Sequence, residues 1–183
     1  MTQLELTLTK IATLLNGNIP YMLIGGYSMA LHGCPRFTQD LDITLGVDLD
    51  QFDEVFKLLE PHFENIVDEP KDFAKKTNVL LLRDRNTAVR VDLIFSFIDF
   101  ERDAIVSADT VIIENIPIKN VKIENLIIYK LLAGRARDKE DVELLFQKHK
   151  ATLNIKEISA SVLTLSEILQ NNAYNDWFEV IKN

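Results

Sequence analysis

Gly25-Gly26-Tyr27-Ser28, followed by Arg36-Phe37-Thr38-Gln39-Asp40-Leu41-Asp42-Ile43, decides how this 183-residue chain is read. The first stretch follows Tyr21-Met22-Leu23-Ile24, a short apolar run closed by two glycines. It reads as a buried strand entering a tight turn, with a helix from Tyr27 to His32 stopped by Gly33 and Pro35. The second stretch opens an alternating strand over residues 40–47. Residues two apart in a strand share a face, so Asp40 and Asp42 project together while Leu41 and Ile43 turn to the core. Two like charges so close repel, and such a pair tends either to share a proton or to hold a cation. A hard divalent ion that takes oxygen ligands, Mg²⁺ above all, answers that need.

A third acid stands on Arg90-Val91-Asp92-Leu93-Ile94-Phe95. Val91, Leu93 and Phe95 share one strand face and leave Asp92 on the other, beside Arg90. Were this strand to neighbour residues 40–47, Asp92 would complete a three-carboxylate cup for two metal ions. Such ions lie ~3.5–4 Å apart and stabilise the attacking and leaving oxygens of an in-line phosphoryl displacement. The glycines are the complement. A strand that ends in Gly25-Gly26 and opens into a helix lets a phosphate approach the backbone and offers it free N–H groups. Ser28 can add a hydroxyl.

Outward from this segment, the coarse order is helix 3–15, strand 21–24, helix 27–32, strand 40–47 and helix 48–59. Strands 77–82 and 88–95 flank Asp84-Arg85-Asn86, and a smaller hairpin joins 111–113 to 116–118. From Val121 the patterns are helical, over roughly 122–133, 138–148 and 156–169. The class is α+β, a mixed sheet flanked by helices with a helical C-terminal third. On the wheel of residues 122–134, Lys130 falls within the apolar face of Ile123, Leu126, Ile127 and Leu131. A buried ammonium needs an anion. Asp138, on one face with Val142 and Leu145, is its first candidate partner, and Asp141 the second.

Composition bounds the function. Apolar residues make up 47% and charged residues 26%, and Gly (6) and Pro (5) are scarce, which excludes collagen-like and low-complexity chains. The net charge of −8 argues against a dedicated duplex-DNA binder, although a local basic groove is compatible with it. The single cysteine, Cys34, forms no internal disulfide, which fits a reducing cytoplasm. Neither a signal peptide nor the ~18 apolar residues of a membrane span is visible, so a cytoplasmic protein with no membrane partner is expected.

The ordered set Gly25, Gly26, Arg36, Thr38, Asp40 and Asp42, with Asp92 as a third strand acid, resembles the polymerase-β-type nucleotidyltransferase superfamily. The spacing is similar to its AbiEii-like branch, which includes the toxins of type IV toxin–antitoxin systems. The resemblance covers residues 21–146. It implies one nucleotidyltransferase domain over residues 1–183, with a core over about 18–120 and a helical part over about 121–183. It further implies Mg²⁺-dependent transfer of NMP from an NTP to an acceptor hydroxyl, with release of pyrophosphate. Asp40, Asp42 and Asp92 would be catalytic and would bind the two metal ions. Gly25, Gly26, Ser28, Arg36, Thr38 and Lys130 would bind the nucleotide, with Asp138 orienting Lys130. The acceptor would be a tRNA, a protein or a small molecule, and a cognate antitoxin is a possible partner.

Each residue also has a plainer reading. Asp40 and Asp42 fit a solvated strand edge or a capping pair, and Gly25-Gly26 a simple turn. Ser28 fits a helix cap, Arg36 an ion pair, Thr38 a β-forming position, and Arg90 a structural partner of Asp92 or a surface charge. Lys130 could snorkel to solvent, Asp138 could cap its helix, and Asp141 could join a surface ion pair. His32, His62 and His149 form no metal motif, and Cys34 lacks a base. A nucleotide-binding regulatory or partner-interaction module without turnover is the alternative function.

Overall fold

Strand β1 (Tyr21–Ile24) and strand β2 (Asp40–Leu45) run antiparallel, with Ile24 opposite Asp42 and Tyr21 opposite Leu45. Between them the chain turns through helix α2 (Gly25–Leu31), which starts at the first glycine rather than at Tyr27. The computed structural model describes residues 1–182. Before β1 stands helix α1 (Gln3–Leu15). Its start is fixed by a reciprocal cap: Glu5 N–H donates to Thr2 Oγ1, and Thr2 N–H donates to the Glu5 carboxylate. Leu8, Ile11, Ala12 and Leu15, at helical spacing, form its buried face.

After β2 come a 3₁₀ turn at Leu49–Gln51, helix α3 (Phe52–Leu59), strand β3 (Phe63–Asn65) and helix α4 (Pro70–Thr77). Strands β4 (Val79–Asp84) and β5 (Arg90–Phe95) pair antiparallel around the expected turn. Helix α5 (Asp99–Val106) leads to the hairpin of β6 (Asp109–Ile113) and β7 (Ile116–Asn120). The seven strands lie in the order β3-β4-β5-β2-β1-β7-β6. The β2–β5 and β1–β7 pairs are parallel and the others antiparallel, so the sheet is mixed. Leu41, Ile43, Val91 and Leu93 on the two middle strands are fully buried. All these strands belong to one compact unit, residues 1–28 with 36–121.

The second unit, residues 29–35 with the chain from Lys122, is helical. It holds α6 (Ile123–Ala133), α7 (Ala136–His149), α8 (Ile155–Leu169) and α9 (Ala173–Lys182). Helix α6 packs against the other three. Trp177, fully buried, meets Phe146 edge-on at 5.7 Å and donates its indole N–H to Ser159 at 2.9 Å. Gly134 closes α6 with a left-handed cap at φ +62°.

The α+β class and the helical C-terminal third agree with the sequence. Four elements go beyond the sequence reading: three-residue β3 and α4, with Ala74 as its one buried residue, carry little apolar pattern, whereas α5 and α9 are short helices that bury Ala104 and Ile105, and Ala173 and Trp177. The strand expected over 40–47 ends at Leu45. Among the described residues, no helix is long and apolar enough to cross a membrane.

Candidate active site

Asp40, Asp42 and Asp92 share one face at the middle of the sheet. Strands β2 and β5 are parallel and in register, so that Asp42 lies directly across from Asp92, and Asp40 across from Arg90. On both strands the neighbouring Leu41, Ile43, Val91 and Leu93 fill the core, while the three acids are partly exposed. The Thr38 hydroxyl donates to Asp40 Oδ1 at 2.8 Å and so fixes that carboxylate. Thr38 is thereby placed as a brace of an acid, a role its sequence position alone did not suggest.

Gly25, the first residue of α2, lies against the Asp42 carboxylate. Its φ is +67°, and a Cβ placed on it would lie 1.9 Å from Asp42 Oδ2. The glycine is required both by the left-handed backbone and by the carboxylate stacked over it. A Cβ on Gly26 would stand 2.7 Å from Thr38 Oγ1 and 3.2 Å from the Arg36 guanidinium carbon. The space above both glycines, expected to be open to a phosphate, is instead taken up by the side chains of Asp42 and Thr38, with the Arg36 guanidinium beside them. Ser28 lies inside α2, not at its cap. It is fully buried, and its hydroxyl has no hydrogen-bond partner among the described residues.

Arg90 holds Asp92 with both arms of its guanidinium: Nε donates to Oδ1 at 2.6 Å and Nη2 to Oδ2 at 2.7 Å. These bonds foremost hold the guanidinium above its ordinary pKa. Partial burial opposes them, and the charges of Asp92, Asp40 and Asp42 assist. Asp92 is thus neutralised by the chain itself. Among the described residues, no three Asp, Glu, His or Cys side chains stand grouped to hold a metal ion as they lie. The donor chemistry nevertheless fits a hard divalent cation. Two carboxylates share a strand face, a third is directly across in register, and all three are partly open to solvent.

The second unit places Lys130 otherwise than at an open surface. Its side chain is 4% exposed, and its ammonium lies 2.6 Å from Asp141 and donates to Asp138 at 3.1 Å. Arg135 donates to Asp138 as well, at 2.5 Å. The anion that burial of Lys130 demands is supplied by both acids that the helical wheel singled out. In the same unit, His149 Nε2 bonds the His32 carbonyl oxygen at 2.9 Å, and burial raises the Cys34 thiol pKa. Neither suggests metal or thiolate chemistry.

Residues 5–173 match the family described as nucleotidyl transferase of unknown function (DUF2204). The chain belongs to that family. It is a nucleotidyltransferase by family, and the match does not single out the toxin-bearing branch. Solved structures support the fold. ANT(2")-Ia in complex with adenylyl-2"-tobramycin superposes with a TM-score of 0.59 at 14% identity, over 92% of this chain and 99% of that one. An antigenic nucleotidyltransferase-like protein from Paracoccidioides brasiliensis gives 0.56 at 19% identity, over 95% and 93%. A nucleotidyltransferase-family structure from Thermotoga maritima gives 0.54 at 17%, over 78% and 91%. No curated protein sequence matches the chain.

Proposed function

We propose that this nucleotidyltransferase moves NMP from an NTP to the hydroxyl of a small-molecule acceptor, using Mg²⁺ held by Asp40 and Asp42 with Asp92 as third ligand. The observation that carries this reading is the in-register β2–β5 pair, which sets Asp42 against Asp92 on one open face. A bound divalent cation supplies charge neutralisation for the phosphates. The chain's own groups do the rest. Thr38 keeps Asp40 oriented, and Gly25 leaves the Asp42 carboxylate room at the end of β1. Arg36, over Gly26, offers a guanidinium to phosphate oxygens. Asp92 accepts the acceptor's hydroxyl proton as the new O–P bond forms at the α-phosphorus, while the α–β bridge breaks and pyrophosphate leaves.

Net charge and a structural likeness support the acceptor class. A net charge of −8 opposes a polyanionic RNA. The ANT(2")-Ia structure holds an adenylylated aminoglycoside, which supports a small molecule. The test offers α-labelled NTPs and Mg²⁺ with an aminoglycoside mixture, total tRNA, or a protein extract as acceptor. Label is expected on a small molecule. Label on tRNA would move the function to the RNA-modifying, toxin-like activity that the sequence resemblance implies. Nucleotide binding with no transfer to any acceptor would favour the silent module.

A further inference from the structure

Arg90 is the cation already present among the three acids. It stands two residues from Asp92 on β5 and directly across from Asp40 on β2. The guanidinium fork meets the Asp92 carboxylate in the bidentate geometry that also matches phosphate. Each oxygen of the third acid thereby gives one of its lone pairs to the fork. A metal ion that uses Asp92 must share the carboxylate with the Arg90 charge or displace it. A displaced Arg90 keeps its charge, because a guanidinium stays protonated, and turns to water or to another anion. Its side chain is 48% exposed against 17% for Asp92, so its head can swing towards solvent while the acid stays in place. A nucleotide's polyphosphate brings to this face the anion for which the fork is built.

We propose that Arg90 is the resident counter-ion of the carboxylate face: it holds Asp92 against metal in the nucleotide-free protein and passes to the phosphates when an NTP binds. The inference rests on the cation site proposed above. It makes Arg90 a positioning residue with opposite effects on two ligands. Metal competes with it, and nucleotide recruits it. A purely structural ion pair would have no such split.

The test measures Mn²⁺ binding by the free-ion electron paramagnetic resonance signal, without nucleotide, and then binding of an α,β-methylene ATP analogue at saturating Mn²⁺. Wild type, Arg90→Gln, Arg90→Lys and Asp42→Asn are compared, each first checked for its melting transition. Arg90→Gln is expected to bind Mn²⁺ roughly tenfold more tightly than wild type and the analogue roughly tenfold more weakly, on the scale of one bidentate charged contact. Arg90→Lys, which keeps the charge without the fork, should fall between and serves in its place should the glutamine variant not fold. Mn²⁺ affinity that is unchanged or weaker in both variants overturns the competition. Equal Mn²⁺ binding by wild type and Asp42→Asn would instead overturn the cation site itself, whatever Arg90 does.

Discussion

At Gly25 a missing side chain decides whether the site exists. A methyl group there would meet Asp42 Oδ2 at 1.9 Å in a backbone at φ +67°. Gly25→Ala is expected to cost about 1–2 kcal/mol from the left-handed backbone alone, and nucleotidyl transfer should fall further than stability because Asp42 must move. Gly17→Ala is the control, since Gly17 has φ +79° with nothing within 4 Å of its Cβ position. It should show the backbone cost in thermal melts and leave transfer intact. The Asp40–Asp42 pair was legible from its spacing, because strand period alone puts both on one face. The bidentate hold of Arg90 on Asp92 was legible only as one of two alternatives. The positions of Thr38 and Arg36 over Gly26 were not, because they depend on how a loop folds back on a turn.

Between elements, two charge clusters do the fastening. Asp84, 1% exposed at the end of β4, takes Lys10 of α1 at 2.7 Å, the Thr7 hydroxyl at 3.2 Å and the Asn86 N–H of its own turn at 2.8 Å. In the helical unit, Lys130 of α6 is balanced by Asp138 and Asp141 of α7. Lys130→Met removes the buried cation that Asp141 and Asp138 share, leaving Arg135 on Asp138, and is expected to cost about 3–5 kcal/mol, read as a fall in Tm on the order of 10 °C. Unchanged melting would mean the cluster is solvated rather than buried. Helical period was enough to find α1, α6, α7 and α8, and to place Lys130 on an apolar stripe. It could not find α4, whose sequence Pro-Lys-Asp-Phe-Ala-Lys-Lys-Thr has almost no apolar face, nor the linkage of α1 to β4 across more than 70 residues.

Across the whole molecule, the two clusters set the acid side of stability. Burial raises the carboxyl pKa of Asp84. The Lys10 and Asn86 hydrogen bonds outweigh it and hold Asp84 below the ordinary carboxylate range. Burial likewise acts on Asp138 and is outweighed by the bonds from Arg135 and Lys130. A depressed folded pKa contributes stability that is full above the unfolded value of about 4 and is lost as pH falls through the folded one. Denaturant midpoints should therefore drop below about pH 4. In an Asp84→Asn/Asp138→Asn double variant they should be lower at neutral pH and flatter across that window. A double variant with the wild-type slope would refute this linkage. The mixed sheet order was not legible in the sequence, since pairing between distant strands leaves no local trace. Only the expectation that 90–95 could neighbour 40–47 reached that far, and the parallel register of β2 with β5 gives it a definite form. What that register is for is tested most directly by pyrophosphate release from α-labelled NTP with Mg²⁺ and an aminoglycoside mixture, comparing wild type with a folded Asp42→Asn. Wild type should release pyrophosphate and label an acceptor, and Asp42→Asn should lose at least roughly 10²-fold of that rate. Equal rates from the two proteins would contradict a site built on the Asp40–Asp42 face.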